Sequence, residues 1–307
     1  WGGHTDESRT TTWDRDTITN VWSSTKTQMA LCALMLADRG QLDLDAPVAT
    51  YWPEFAQQGK EGVLVRHLLS HTSGVSGWNQ PVQVSDLYDW EKSTSMLAAQ
   101  APWWEPGTAS GYHALNQGHL VGEVIRRVDG RMPRAFLAEE IFGPLGMAAS
   151  LGLAEDEDLA TVAPPRAMSE VTFDDPTGSE HRTSRIAALF STPDVLRAQI
   201  PAANGIGTAE ALARFYALLE QGGALDGVRL LQPGTVAEAT RVHVTTDADR
   251  STHLPSSYGL GFLVGGIFAP FDRPGGGATA RCRGRDSWQP SPPTAGRGRR
   301  CRSTAPR

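Results

Sequence analysis

Nine consecutive apolar residues, 29–37, are the feature that most constrains this chain. A helix that is apolar on every side has no face for solvent, so it is expected to cross the centre of the protein. Asp38 and Arg39 follow the apolar run, and Gly40 can adopt the left-handed conformation that ends many helices. The sequence therefore predicts a fold arranged around one buried central helix.

A serine and a lysine precede the apolar run at a spacing that suits chemistry. Ser23 and Lys26 are three residues apart, so they share one face at the start of the helix. Burial disfavours the charged form of a lysine and lowers its pKa towards that of a useful base. A serine beside it, near the positive end of a helix, has the setting of an activated nucleophile. We interpret the two residues as a catalytic pair.

The alternative is a surface lysine that matches the pattern by chance. The chain has three lysines, Lys26, Lys60 and Lys92, among 28 basic residues. With serine at a typical abundance, three lysines give about 0.2 chance matches to Ser-x-x-Lys. Arginine cannot replace a lysine that must give up its proton. A lysine retained here in an arginine-rich chain favours the catalytic interpretation.

A second stretch delivers a tyrosine onto a loop. Pro106 and Gly107 form a turn, and Gly111 and Tyr112 precede an amphipathic helix that ends near Gly130. A lone tyrosine before a helix usually serves packing. Downstream of a Ser-x-x-Lys pair, Tyr112 becomes a candidate second base.

Two histidines four residues apart, His67 and His71, raise the possibility of a metal site. The pair lacks the glutamate of a zincin motif, and no third ligand is evident. We expect both histidines to be structural and expect no metal and no cofactor. The three cysteines, Cys32, Cys282 and Cys301, do not form a disulfide framework.

The length and the remaining patterns set the organisation. A chain of 307 residues with net charge −6 is long enough for one large domain or two closely packed ones. Thr208 is a plausible N-cap for a helix over 209–221, residues 257–264 resemble a strand, and 155–193 resemble an exposed loop. No membrane-spanning run is evident, and a start at Trp1 suggests a fragment or processed chain. The compartment stays open, with the cytoplasm preferred.

These motifs in this order resemble the serine β-lactamase and penicillin-binding-protein superfamily. The motifs are Ser23-Ser24-Thr25-Lys26, the run Arg66-His67-Leu68-Leu69-Ser70-His71-Thr72-Ser73-Gly74, and Ser110-Gly111-Tyr112 after Pro106-Gly107. The resemblance covers most of residues 1–270. It is closest to class C β-lactamase-like esterases, often called family VIII carboxylesterases.

The resemblance implies a mixed α and β fold, with an antiparallel sheet flanked by helices and a mostly helical subdomain. One domain would span 1–272, with its helical part over roughly 27–195 and its sheet built from 1–22 and 200–272. The resemblance makes Ser23 the nucleophile and Lys26 a base, and Tyr112 completes the proton relay. Whether Lys26 or Tyr112 is the acylation base stays open. Ala114 stands where class C β-lactamases have asparagine, which favours esters over lactams.

The segment 273–307 differs from the rest of the chain. It contains nine arginines and one acid, so it carries +8 and the remainder −14. A nucleic-acid-binding tail is one interpretation. We prefer an out-of-frame stretch, because the family's last strands and its His-x-Gly or Lys-Thr-Gly motif are missing there. We therefore predict disorder, incomplete terminal strands and no nucleic-acid partner.

The expected function is that of a serine hydrolase that forms an acyl-enzyme, most simply a carboxylesterase acting on small, short-chain esters. A β-lactamase or D-alanyl-D-alanine carboxypeptidase acting on a lactam or peptide is the first alternative. An inactive binding or scaffold homologue is the second. The Gly-x-Ser-x-Gly elbow of α/β-hydrolases is not found. The oligomeric state stays open.

Overall fold

A computed structural model describes residues 2–6, 8–164 and 186–266 of the protein. The α-helices named here are α1 (Ser24–Asp38), α2 (Val65–Leu69), α3 (Trp90–Ala99), α4 (Asn116–Asp129), α5 (Pro133–Leu137), α6 (Pro193–Arg197), α7 (Ala209–Glu220) and α8 (Pro233–Thr240). The strands are β1 (Ile18–Asn20), β2 (Ala149–Leu151), β3 (Val162–Ala163), β4 (Gly205–Gly207), β5 (Ala224–Leu225), β6 (Val228–Arg229), β7 (Val244–Thr246), β8 (Ser256–Tyr258) and β9 (Leu263–Gly266).

Helix α1 lies at the centre of the fold, as the apolar run predicts. Residues 25–36 are all buried, and α1 packs against α4, α5 and α8. Its N-cap is Ser23, and Gly40 adopts the left-handed conformation with φ +69° just after its end. Since every face of α1 is covered, the side chains of its first turn are held rigidly by their surroundings.

A four-stranded sheet has the order β2-β4-β1-β3. Strand β4 is antiparallel to both β1 and β2, whereas β1 and β3 are parallel. The sequence predicts an antiparallel sheet built from the two ends of the domain, so this parallel pair is a departure. Strands β2 and β3 also come from the 27–195 stretch that was expected to be helical. A parallel pair needs a long crossover, and the helices between β1 and β3 supply one.

A second sheet is an antiparallel meander in the order β7-β8-β9. The prediction of one strand over 257–264 is wrong, because the chain turns between β8 and β9. Gly261 sits in this turn with φ +84°, so close to α1 that a Cβ there would lie 2.1 Å from the Ala30 Cβ. Its N–H donates to the Leu69 carbonyl at 2.9 Å. Only glycine allows this approach, which presses the β8–β9 hairpin onto the first turns of α1.

Other expectations have mixed outcomes. Helix α7 begins at Ala209 as predicted, with the Thr208 hydroxyl accepting the Ala211 N–H at 3.0 Å. The stretch 155–193 is described only in part, and β3 lies within it. The tail over 273–307 lies outside the described residues. Among the helices that the structure describes, none has the length and apolar character needed to cross a membrane.

Candidate active site

Ser23 follows a left-handed turn at the start of α1. Trp22 has φ +49°, and its N–H donates to the Asn20 side-chain carbonyl at 2.7 Å. The Trp22 ring packs on that of Phe190 with 4.7 Å between centroids. A non-glycine residue keeps this conformation only where its surroundings fix it. The turn leaves the Ser23 side chain exposed at the end of a buried helix.

The three predicted site residues meet at one point. The Tyr112 hydroxyl donates to Ser23 Oγ at 2.8 Å, and Lys26 Nζ lies 3.2 Å from the same oxygen. Lys26 Nζ also sits 4.9 Å from the centre of the Tyr112 ring. The serine oxygen is therefore within hydrogen-bond reach of both candidate bases.

Lys26 is held by backbone groups that sequence reasoning did not identify. Its side chain is buried, and Nζ donates to the carbonyls of Ala114 at 2.7 Å and Ala202 at 2.8 Å. No carboxylate in the described part of the chain forms an ion pair with it. Burial lowers the pKa of Lys26 from 10.5 to about 7. A large share of the molecules then carries a neutral amine at neutral pH.

Tyr112 is shifted in the other sense. Burial raises the pKa of its hydroxyl; the hydrogen bond to Ser23 opposes this shift, and the charge of Asp249 adds to it. The net pKa lies above 10, so Tyr112 is protonated at neutral pH. The site thus pairs a neutralised lysine with a protonated phenol, the arrangement of a base beside an acid.

The two histidines of the second motif have structural contacts. His67 Nδ1 accepts the Leu64 N–H at 3.2 Å, and His71 Nδ1 accepts the His113 N–H at 3.1 Å. Burial, with the charges of His113 and Lys26, lowers the pKa of His71 well below 6.5, so its ring is neutral. Within the described ranges, no cluster of three His, Cys, Asp or Glu side chains is placed to hold a metal ion.

Sequence reasoning missed Asp249, which lies between β7 and β8. Its buried carboxylate accepts the Tyr112 N–H at 2.9 Å and the Tyr258 hydroxyl at 3.1 Å. His71 connects the same two tyrosines, with ring centroids 4.9 Å from Tyr112 and 4.8 Å from Tyr258. No local pattern marks these residues as partners, because 137 residues separate Asp249 from Tyr112.

The site opens into a cleft of about 550 Å³. Besides the three central residues, its lining includes His71, Tyr216, Thr252, Tyr258, Phe262 and Leu263. Among the described residues that line it, Lys26 is the sole lysine or arginine, and none is acidic. Tyr216 and Leu263 are exposed at 43% and 44%, so the cleft has an apolar rim.

The chain belongs to the beta-lactamase family, whose family model matches residues 1–283. The family, the esterase/beta-lactamase and the carboxylesterase named below are hydrolases, and the protein is an enzyme of the serine β-lactamase superfamily. The resemblance found in the sequence motifs is thereby confirmed.

Relatives and solved structures of the same superfamily cover most of the chain. An esterase/beta-lactamase, LipL of Mycobacterium tuberculosis, is 34% identical over 298 residues, which cover 91% of this chain and 69% of LipL. A family VIII carboxylesterase structure has a TM-score of 0.74 at 38% identity, with 86% of this chain and 72% of that one covered. The structure of a penicillin-binding-protein homologue from Caulobacter crescentus has a TM-score of 0.73 at 38% identity, with 85% of this chain and 71% of that one covered. The predicted fold class is confirmed.

Proposed function

We propose that the protein is a carboxylesterase that hydrolyses short-chain esters through an acyl-enzyme on Ser23. The observation that carries this proposal is the contact of one serine oxygen with both Lys26 Nζ and the Tyr112 hydroxyl, in a cleft without acidic side chains in its described lining. The resemblance to esterases and to a family VIII carboxylesterase supports it.

Lys26 is the base of the acylation step. A neutral lysine keeps two hydrogens, and the carbonyls of Ala114 and Ala202 take both. The nitrogen lone pair is then free to face Ser23 Oγ at 3.2 Å. The serine proton moves to Nζ while Oγ forms a bond to the acyl carbon of the ester.

Tyr112 is the acid of the same step. When the tetrahedral intermediate collapses, the carbon–oxygen bond to the alcohol breaks and the alkoxide takes the phenolic proton. The proton that Lys26 has taken up then restores the phenol, since Lys26 Nζ lies beside the Tyr112 ring at 4.9 Å from its centre. In deacylation a water molecule replaces the alcohol and Ser23 leaves as the alkoxide, so the same groups act in reverse.

The Ser23 N–H is one donor to the developing oxyanion. Within the described residues this N–H donates to no backbone acceptor, and it lies at the positive end of α1. A preorganised donor aimed at this position typically contributes 10²–10³-fold in rate.

Ester preference over lactams follows from the groups that are present. Ala114 contributes a carbonyl to Lys26 but has no amide side chain to bind the acylamide of a lactam. The apolar rim at Tyr216 and Leu263 suits a short alkyl chain. We therefore expect a higher kcat/KM for p-nitrophenyl butyrate than for nitrocefin. The opposite ranking would favour the β-lactamase alternative. The name of the LipL relative includes both activities.

Labelling tests the nucleophile directly. A fluorophosphonate probe with peptide mapping should label Ser23, and Ser23→Ala should remove both labelling and turnover. Ser24, which also lines the cleft, provides the matched control, since Ser24→Ala should keep both. Labelling at Ser24 or Ser110, or turnover by Ser23→Ala near that of the parent, would show that the assignment is wrong.

A further inference from the structure

Asp249 is a buried carboxylate whose charge is balanced by hydrogen-bond donors. It has no exposed surface, and within the described ranges no lysine or arginine forms an ion pair with it. Burial by itself would raise its pKa, but hydrogen bonds from the backbone N–H groups of Tyr112, Thr252 and Ser251 outweigh burial and lower it. Asp249 is therefore ionised at neutral pH, and a buried carboxylate is costly unless hydrogen bonds or an opposite charge compensate for its lost hydration.

Part of this bonding folds the loop that contains Asp249. Its Oδ1 accepts the backbone N–H groups of Ser251 at 2.9 Å and Thr252 at 3.0 Å. A loop-forming aspartate needs no more than these local bonds. The same oxygen also accepts the Tyr112 N–H, which belongs to a different part of the chain. That bond needs a separate explanation.

The loop that contains Asp249 forms further hydrogen bonds with residues next to Tyr112 or in contact with it. The Arg250 N–H donates to the Ser110 carbonyl at 2.9 Å, two residues before Tyr112. The Ser251 hydroxyl lies 2.7 Å from the Ser76 hydroxyl, and Ser76 in turn contacts the Tyr112 carbonyl at 3.1 Å. The backbone on both sides of Tyr112 is thus fixed from the Asp249 loop.

A second set of contacts connects Asp249 to the Tyr112 ring. Asp249 Oδ2 accepts the Tyr258 hydroxyl, the Tyr258 ring packs edge-on against His71, and His71 packs against Tyr112. One carboxylate therefore supports Tyr112 twice, at its backbone through Oδ1 and at its ring through Oδ2. Two anchors restrict both the position of the tyrosine and the direction of its ring.

We infer that Asp249 is a positioning residue that holds the Tyr112 hydroxyl in line with Ser23 Oγ. This inference rests on the proposed function, since it gives Tyr112 a task in proton transfer. A misplacement of about 1 Å at a reacting group typically costs roughly 10²-fold in rate. The 2.8 Å contact between Tyr112 and Ser23 is the geometry that would be lost.

A double-mutant cycle separates positioning from general support of the fold. Asp249→Ala should lower kcat/KM for ethyl butyrate, whose alkoxide needs the Tyr112 proton to leave, by up to about 10²-fold, mainly through kcat. In the Tyr112→Phe background the same change should cost less than about threefold, because the hydroxyl it aligns is already absent. Equal losses in both backgrounds would overturn the inference, since a merely structural role acts regardless of the hydroxyl.

Controls keep the test interpretable if the alanine variant does not fold. Asp249→Asn keeps an oxygen acceptor and should show the same non-additivity with a smaller loss, and additive losses there would also overturn the inference. Asp86, a largely buried acid that accepts the Gln83 N–H, is a matched control. Asp86→Ala should keep kcat/KM per folded molecule in both backgrounds. Failure of the proposed function is distinguishable, because Ser23→Ala would then remain active.

Discussion

Two of the three lysines, Lys26 and Lys60, are buried in closely similar surroundings. Lys26 is 4% exposed and Lys60 is fully buried. Each ammonium donates to backbone carbonyls and lies beside an aromatic ring, 4.9 Å from the centre of Tyr112 and 5.0 Å from that of Phe55. Burial lowers the pKa of Lys26 to about 7 and that of Lys60 to about 8. By burial and titration the two residues differ little.

The two lysines differ in the third group that contacts the ammonium. The three hydrogens of the Lys60 ammonium go to three backbone carbonyls, those of Gln57, Ala98 and Gln100. Lys26 donates to two carbonyls, and its third contact is the Ser23 hydroxyl. A hydroxyl can donate as well as accept, so Lys26 can lose a proton and keep every contact. Lys60 cannot, because the lone pair of a neutral amine would face a carbonyl oxygen, which cannot donate a hydrogen, and that contact would be lost.

The comparison shows that burial and a lowered pKa do not by themselves make a catalytic base. A base also needs a partner whose hydrogen bond can reverse direction and a cleft where substrate can reach that partner. Lys26 has both through Ser23, which lines the cleft. Lys60 has neither in the described structure, and its three carbonyl bonds give it the role of a clamp between loops.

The largest effect should come from Lys26→Arg. Arginine keeps the positive charge but cannot give up its proton. We expect kcat/KM for p-nitrophenyl butyrate to fall by about 10³-fold, nearly as much as for Lys26→Ala. Lys60→Met is the control and should keep kcat/KM per folded molecule within about threefold. Activity of the arginine variant within tenfold of the parent would mean that Lys26 supplies charge only.

Tyr112→Phe makes the ring beside Lys26 resemble Phe55 beside Lys60. Without the hydroxyl, the alkoxide that leaves has no proton donor, and we expect a loss of about 10²-fold for an alkyl ester such as ethyl butyrate. The p-nitrophenyl ester should lose less, since its leaving group departs without a proton. Equal losses for both esters would contradict the assignment of Tyr112 as the acid. As a control, the melting temperature of the Tyr112→Phe variant should equal that of the parent.

The pH dependence should separate the two lysines as well. Burial lowers the pKa of Lys26 from 10.5 to about 7, and only the neutral amine accepts the serine proton. Activity should therefore rise with pH, with kcat/KM falling about tenfold for each unit below pH 7. The Lys60→Met variant should show the same fall in kcat/KM below pH 7. A profile that is flat from pH 5.5 to 8.5, or a limb near pH 10, would show that Lys26 is not the base.

The sequence predicts the parts of this arrangement that are local. Ser23 and Lys26 lie on one helical turn, and the apolar run that buries them is continuous, so spacing and periodicity suffice. The roles of Ser23, Lys26 and Tyr112 remain predictions, although the structure brings their side chains together. The retention of lysine in an arginine-rich chain is equally true of Lys60, so that signal does not separate a base from a clamp.

The non-local parts could not be predicted. The carbonyls of Ala114 and Ala202, which hold Lys26, are 88 and 176 residues away in sequence, and a carbonyl leaves no side-chain signature. Asp249 is likewise far from Tyr112 in sequence, at a separation of 137 residues. The β8–β9 turn was missed because Gly261 is required by its contact with Ala30, a tertiary constraint that alternation along a strand does not record.

The smallest effect on catalysis, and a distinct effect on stability, should come from Lys60→Met. Methionine fills similar space but leaves the buried carbonyls of Ala98 and Gln100 without this donor, at about 1–3 kcal/mol each, whereas the Gln57 carbonyl keeps the backbone N–H of residue 60 at 3.2 Å. Removal of a buried ammonium recovers part of this, so we expect a net loss of about 2 kcal/mol in the free energy of unfolding at pH 7. Urea denaturation measures this loss. The m-value, which is the slope of the free energy of unfolding against urea concentration, should stay constant if only the native state is affected.

The third lysine supplies the control for this last variant. Lys92 is exposed and forms an ion pair with the largely buried Asp86 at 2.8 Å, and because water still reaches its ammonium, Lys92→Met should lower the urea midpoint less than Lys60→Met does. If Lys60→Met instead keeps its midpoint and loses esterase activity as Lys26→Arg does, then Lys60 has a catalytic role and the contrast between the two buried lysines is wrong. If its midpoint falls while kcat/KM of the folded enzyme is kept, the acceptor set alone distinguishes the base from the clamp.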